Sequence, residues 1–220
     1  LTSDIHHLLE ISPKINPATN IFYKNRSYLP YWLNKPEALN EFTLILQNSP
    51  MQGLPIARYE FDKILKLRSS DSSMDLAKLD LLLTEKFLLY AKDLSHGIIN
   101  PTSLTSFINI NREAPEAEKY LSKLNESPRI KEFLEKIQPN DPDYLKLQLE
   151  LQRLLIKNKT SQVYKVPIET TLELGMSHPN ILSLRAMLKN LDYLDTDNES
   201  ETFDKELLKA VMFFQENSGL

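Results

Sequence analysis

The chain contains no cysteine. Disulfides, zinc-thiolate sites, iron–sulfur clusters and cysteine nucleophiles are therefore excluded, while the redox compartment stays open. Glycine is also scarce, at four residues, namely Gly53, Gly97, Gly175 and Gly219. They lie too far apart for a G-x-G-x-x-G or G-x-x-x-x-G-K-[ST] loop, so the classical phosphate cradles are excluded. No uninterrupted apolar run is long enough to span a bilayer: Leu76 to Leu94 is broken by Lys78, Asp80, Glu85, Lys86, Lys92 and Asp93. The formal charge of −4 argues against a dedicated nucleic-acid binder. The 220 residues, 41% hydrophobic, suffice for a sizeable core and exclude intrinsic disorder of the whole chain.

The periodicity is mainly that of helices. Tyr144, Leu147, Leu151, Leu154 and Leu155 predict one apolar face on a helix from Pro142 to Ile156. Asp141-Pro142 is its start signal, an acceptor for orphan amides followed by a residue without an amide. Ser127-Pro128 repeats the device ahead of Ile130, Phe133, Leu134 and Ile137. Leu76 to Leu94 is apolar on more than one side, as expected for the centre of a bundle, and Gly97 is its expected terminator. A weaker helix is predicted over Ile56 to Leu67.

Texture changes at Val166. Val166, Ile168, Thr170, Leu172 and Leu174 alternate with Pro167, Glu169, Thr171 and Glu173, which predicts a short extended segment at an edge or in a linker. Two helices are expected beyond it, one on Ile181, Leu184, Leu188 and Leu191, the other on Phe203, Leu207, Ala210, Val211 and Phe214. The expected architecture is a mainly α protein: a helical domain over 1–165 and a small helical unit over 166–220.

Chemistry-bearing patterns are few. From Asp192 to Glu206 there are seven carboxylates against one lysine. Asp195, Asp197, Glu199, Glu201 and Glu206 match the ligand positions of a calcium loop. Ser200, however, stands where the tight turn needs glycine, so no metal site is assigned and no cofactor is expected. His6, His7, His96 and His178 form no H-E-x-x-H, and no G-x-S-x-G is present. Phe22, Tyr23, Tyr28, Tyr31 and Trp32 place five rings within eleven residues, with Arg26 among them. Two readings stand: Tyr23, Tyr28 and Tyr31 form an aromatic surface suited to a sugar or a partner chain, or the rings pack into the core.

Leu174-Gly175, Pro179, Ile181, Leu184-Arg185 and Leu188 resemble the first half of a peptidoglycan-binding module, and Ala210-Val211, Phe214-Gln215 and Gly219-Leu220 resemble its second half. Upstream, Phe22-Tyr23 through Trp32, Gly53-Leu54 with Tyr59, and Leu79-Asp80, Leu83-Thr84, Tyr90-Ala91, Asp93-Leu94, Gly97 and Pro101 are similar to the scaffold domain of large bacterial murein L,D-transpeptidases. Pro139, Pro142, Tyr144, Leu147 and Leu151 continue that pattern.

The resemblance implies a non-catalytic N-terminal half of an exported acyltransferase of cell-wall biogenesis, with peptidoglycan as partner and a periplasmic or envelope location. The cysteine-bearing catalytic domain is expected beyond Leu220, and no transmembrane segment is expected. Within the small unit Arg185 and Gln215 are the candidate wall-binding residues, able to reach stem-peptide carboxylates or amides or, alternatively, to hydrogen-bond between helices. His178 stands where the module has an acidic helix cap. A helical protein-interaction adaptor without wall affinity is the alternative.

Overall fold

A computed structural model of the chain describes residues 1–99, 116–126, 129–160, 166, 171–196 and 198–219. Among these the protein is mainly helical, with ten α-helices and no β-strand. It divides into two compact units, Leu1–Leu155 and Ile156–Leu220. The boundary expected near residue 165, the start signal at Ser127-Pro128, Pro101, and part of the expected extended segment (167–170) lie outside the described residues.

The first unit holds α1 (Thr2–Ile11), α2 (Pro17–Lys24), α3 (Pro36–Gln47), α4 (Phe61–Arg68), α5 (Ser73–His96), α6 (Ala117–Glu126), α7 (Ile130–Ile137) and most of α8 (Pro142–Thr160). The axis of the unit is α5. It buries residues on several sides, among them Leu79, Leu81, Leu83, Phe87 and Leu94, and α1, α2, α4, α6 and α7 all pack on it. A helix apolar all round needs neighbours all round, and α5 has them. Ser72 caps its start by accepting the Asp75 amide, and Gly97, at φ +79°, ends it as expected.

Two stretches differ from expectation. The helix predicted over Ile56 to Leu67 is broken into a 3₁₀ turn, Ile56–Tyr59, and α4. Glu60 between them adopts a left-handed φ of +50°, and its carboxylate is held by Lys63 and Lys86, which offsets part of that backbone strain. Helix α8 begins on the Asp141 cap, whose Oδ1 accepts the Asp143 and Tyr144 amides at 2.9 and 3.3 Å. Its packed stripe is rotated from the predicted one. Tyr144, Gln148, Leu151, Gln152 and Leu155 are half-buried, whereas Leu147 and Leu154 are 72% and 48% exposed. The carboxamides of Gln148 and Gln152 cause the rotation, because they reach Gln52 and the Met51 carbonyl.

The second unit contains α9 (Ile181–Asn190) and α10 (Lys205–Asn217) around a small core of Ile181, Leu184, Leu188, Leu194, Phe203, Leu207 and Ala210. These are the two predicted helices, packed through the predicted residues except Leu191, which follows α9 and is 41% exposed. An antiparallel bridge, Ser177 to Thr202, ties the segment before α9 to the segment before α10. The described part of the expected extended segment, 171–174, forms no strand.

Candidate functional site

In the second unit the polar centre is Arg185. It projects from α9 into the acidic loop and is only 4% exposed. Its Nε donates to the Ser200 carbonyl and its Nη2 to the Thr202 carbonyl, both at 3.0 Å. Nη2 also pairs with the Asp204 carboxylate. Asp204 is itself the cap of α10, its other oxygen accepting the Leu207 amide at 2.9 Å. The helix-end amide and the Arg185 guanidinium together hold the Asp204 carboxyl below the usual carboxylate range. One side chain thus closes the loop onto both helices, and inter-helix bonding is what the structure gives Arg185. Nη1 is buried and meets no hydrogen-bond partner among the described residues.

Gln215 is exposed on the last turns of α10. It lies eleven residues from Asp204, about 16 Å along the helix axis at 1.5 Å per residue. The structure therefore does not bring Arg185 and Gln215 into one site. Met212 and Phe213, beside Gln215, are 59% and 55% exposed. At His178 the imidazole Nδ1 accepts the Asn180 amide at 3.1 Å and the carbonyl accepts that of Ile181 at 3.0 Å, but the cap residue of α9 is Asn180, which makes no side-chain cap bond. In the acidic loop Asp197 lies outside the described residues. Among the described residues no group of three histidine or carboxylate side chains is placed to hold a metal ion.

The aromatic segment of the first unit is core, which corrects the expectation of a surface at Tyr23 and Tyr31. Both are buried, at 0% and 2% exposed, and Tyr28 is half-buried against the His6 ring at 4.2 Å between centroids. Trp32 stacks on Phe42 at 5.1 Å, and Phe42 meets Phe87 of α5 edge-on at 5.7 Å. Arg26 lies over the rings of Phe22 and Tyr31 at 5.1 and 5.0 Å.

What organises these rings is Asp80, a fully buried carboxylate in the middle of α5. Oδ1 accepts the Tyr23 hydroxyl at 2.6 Å and the Tyr31 amide at 2.7 Å, and Oδ2 accepts the Leu33 amide at 2.9 Å. One turn on, Thr84 Oγ1 meets Tyr23 at 2.8 Å and accepts the indole N–H of Trp32 at 2.9 Å. Burial raises the Asp80 carboxyl above its ordinary value, opposed by these donors. Burial pushes the Tyr23 hydroxyl up and the Tyr31 hydroxyl up to about 12. A second node fixes the last turn of α5, where Arg58 grips Asp93 through Nε and Nη2 at 2.5 and 3.0 Å. The Tyr59 hydroxyl donates to the same carboxylate at 3.0 Å. The chemistry at both nodes is anchoring: neutral donors at Asp80, and a guanidinium with a hydroxyl at Asp93, satisfy a carboxylate and pin a loop to the central helix.

Sequence reasoning singled out neither carboxylate as an anchor. The signal for Asp80 was a charge inside the most apolar helix of the chain, directly before Leu81-Leu82-Leu83.

No curated protein and no solved structure matches the chain. A family model described as "Scaffold domain" matches residues 17–151, from the first residue of α2 into α8. The matched span contains the Asp80 and Asp93 nodes and all of α5. It covers more than half of the 220 residues, and the chain therefore belongs to the Scaffold domain family.

Proposed function

We propose that this chain is the non-catalytic half of a bacterial cell-wall L,D-transpeptidase, in which the first unit is the structural scaffold and the second contributes to peptidoglycan binding. The observation that carries the proposal is the order of the two parts. A Scaffold domain match over 17–151 is followed by a two-helix unit packed through Ile181, Leu184, Leu188, Leu207 and Ala210. Of those positions Ile181, Leu184, Leu188 and Ala210 belong to the sequence pattern that resembles the peptidoglycan-binding module. On this reading the chain performs no acyl transfer itself, since it contains no cysteine to form the acyl-enzyme. Its partner is the glycan-peptide polymer in the cell envelope.

Within the second unit the exposed Gln215, flanked by Met212 and Phe213, is the contact side chain. Arg185 acts from beneath by holding the loop. Titrating a soluble disaccharide-peptide fragment of the wall into the isotope-labelled chain tests this. Amide shifts concentrated on 205–217, and weakened by Gln215→Ala, are expected. Shifts absent from the second unit would refute it.

A second reading, a helical adaptor that docks another protein, is favoured by one observation. Leu147 and Leu149 on α8 are 72% and 66% exposed. An adaptor would leave the same titration silent.

A further inference from the structure

A groove of about 440 Å³ opens in the first unit between α3, the 3₁₀ turn Ser49–Gln52, α5, α7 and the start of α8. The volume falls within the roughly 300–1,000 Å³ of small-molecule sites. Beside one pair of opposite charges, Lys131 and Glu135, four of its lining side chains, Asn48, Gln52, Gln138 and Gln148, are neutral carboxamides. Three are chained. Gln138 Nε2 donates to Gln148 Oε1 at 3.5 Å, and Gln148 Nε2 donates to Gln52 Oε1. The chain leaves the Gln52 amide nitrogen and the Gln138 carbonyl oxygen without partners among the described residues, one donor end and one acceptor end.

The floor is apolar, formed by Ile45, Leu94 and Leu134. Tyr90 also reaches the groove. Its ring is held edge-on by Phe42 and Tyr59, leaving it 3% exposed, yet its hydroxyl meets no hydrogen-bond partner among the described residues. The hydroxyl is not among the buried polar atoms left without a partner, so it opens into the groove and is available to a guest.

From this geometry we infer that the groove binds an uncharged N-acetylated saccharide. A neutral carboxamide both donates and accepts, and its best complement is another neutral amide together with hydroxyl groups. The apolar floor receives the acetyl methyl and the C–H face of the ring. The rim charges, Lys131 and Glu135, are 3.7 Å apart and offset each other, so nothing selects a charged ligand. The described lining comes from helices and turns, with no strand edge for an extended peptide to pair with. The choice of an amino-sugar polymer as the source of such a ligand rests on the wall-binding reading above, but the groove lies in the first unit and is tested separately.

The test is calorimetric and NMR titration of the full chain with triacetylchitotriose. Cellotriose, which lacks the acetamide, the glucosamine trimer, which carries free amines, and a doubly capped trialanine are the comparators. Binding of the acetylated trimer is expected, with shifts at Gln52, Gln138 and Gln148 and weaker binding of all three comparators. Tyr90→Phe keeps the ring packing and removes the hydroxyl. Gln138→Ala alters only a half-buried side chain, so it keeps the test open if the core variant unfolds. Each is expected to weaken binding about fivefold, the order of one neutral hydrogen bond. No binding, equal binding of cellotriose, preference for trialanine, or wild-type affinity in both variants would overturn the inference. If sacculi retain the chain while triacetylchitotriose does not bind, the groove assignment alone fails. If the trimer binds while sacculi do not retain the chain, the groove stands and the wall-binding reading of the second unit fails.

Discussion

Replacing Asp80 with alanine is the sharpest perturbation of the first unit. The carboxylate accepts three donors, the Tyr23 hydroxyl and the Tyr31 and Leu33 amides, at 2.6, 2.7 and 2.9 Å. Each buried donor left unpaired costs about 1–3 kcal/mol. Tyr23 keeps the Thr84 hydroxyl and the residue-80 carbonyl as partners, so the two orphaned amides set the expected loss at about 2–6 kcal/mol, a large share of the roughly 5–15 kcal/mol of a typical folded domain. Asp80→Asn keeps one oxygen and the volume but turns an N–H₂ toward a donor. It also removes the cost of burying a charge, so about 1–3 kcal/mol is expected. Urea unfolding followed by the fluorescence of Trp32, the single tryptophan, reads this unit directly, because the indole N–H donates to Thr84 beside the node. The pH dependence has a definite sign. Burial raises the folded carboxyl above its ordinary 3.8, so the folded state binds this proton more tightly than the unfolded state. The proton-linked part of the stability is therefore fully present below 3.8 and is lost as pH rises through the folded value, while the hydrogen bonds to the carboxylate remain. That slope should be missing from Asp80→Asn. An alanine variant within about 1 kcal/mol of wild type would refute the reasoning, since the donors would then have found other partners.

Further outcomes follow from the same geometry. Arg185→Ala strips the loop of its tie to Ser200, Thr202 and Asp204 and should cost the second unit about 3–5 kcal/mol. Hydrogen exchange across 198–207 reads the loss, and Arg185→Lys should recover only part of it because an ammonium cannot reproduce the fork. Asp204 titrates below its ordinary 3.8, so its stabilisation is present above that value and lost as pH falls through the folded value. The α10 amides should accordingly lose dispersion in acid, and Asp204→Asn should flatten that profile. Gly53 has φ +72°, and a Cβ there would meet Leu151 Cδ2 at an ordinary 3.6 Å. Gly53→Ala should thus cost only the backbone strain, about 1 kcal/mol, visible as a melting shift of a few degrees.

Local signals were legible where a single element carried them. The all-round apolar character of α5, its stop at Gly97, the start of α8 at Asp141 and the packed positions of α9 and α10 are properties of one helix at a time, and the sequence displays them. What it displayed less well depends on partners distant in the chain. The α8 stripe is rotated because Gln148 and Gln152 find Gln52 and Met51 roughly a hundred residues away, which no periodicity within α8 encodes. Tyr23 and Tyr31 are drawn inside because Asp80, 57 and 49 residues on, accepts from both. Arg185 lies in the stretch that resembles a wall-binding module and serves as an anchor, since a sequence resemblance does not separate a residue that touches a ligand from one that holds the loop beside it. The carboxamide groove escaped notice for the same reason: Asn48, Gln52, Gln138 and Gln148 are unremarkable singly and converge only once α3, α7 and α8 are assembled.

The central claim is that these residues belong to a wall-binding part of a transpeptidase. Its most direct test is co-sedimentation of the full chain with purified peptidoglycan sacculi over a salt series, beside a non-binding control protein of similar charge. The account predicts retention that survives moderate salt and is reduced by Gln215→Ala without loss of helicity. A chain that stays in the supernatant at every salt concentration, with its circular dichroism intact, would contradict it.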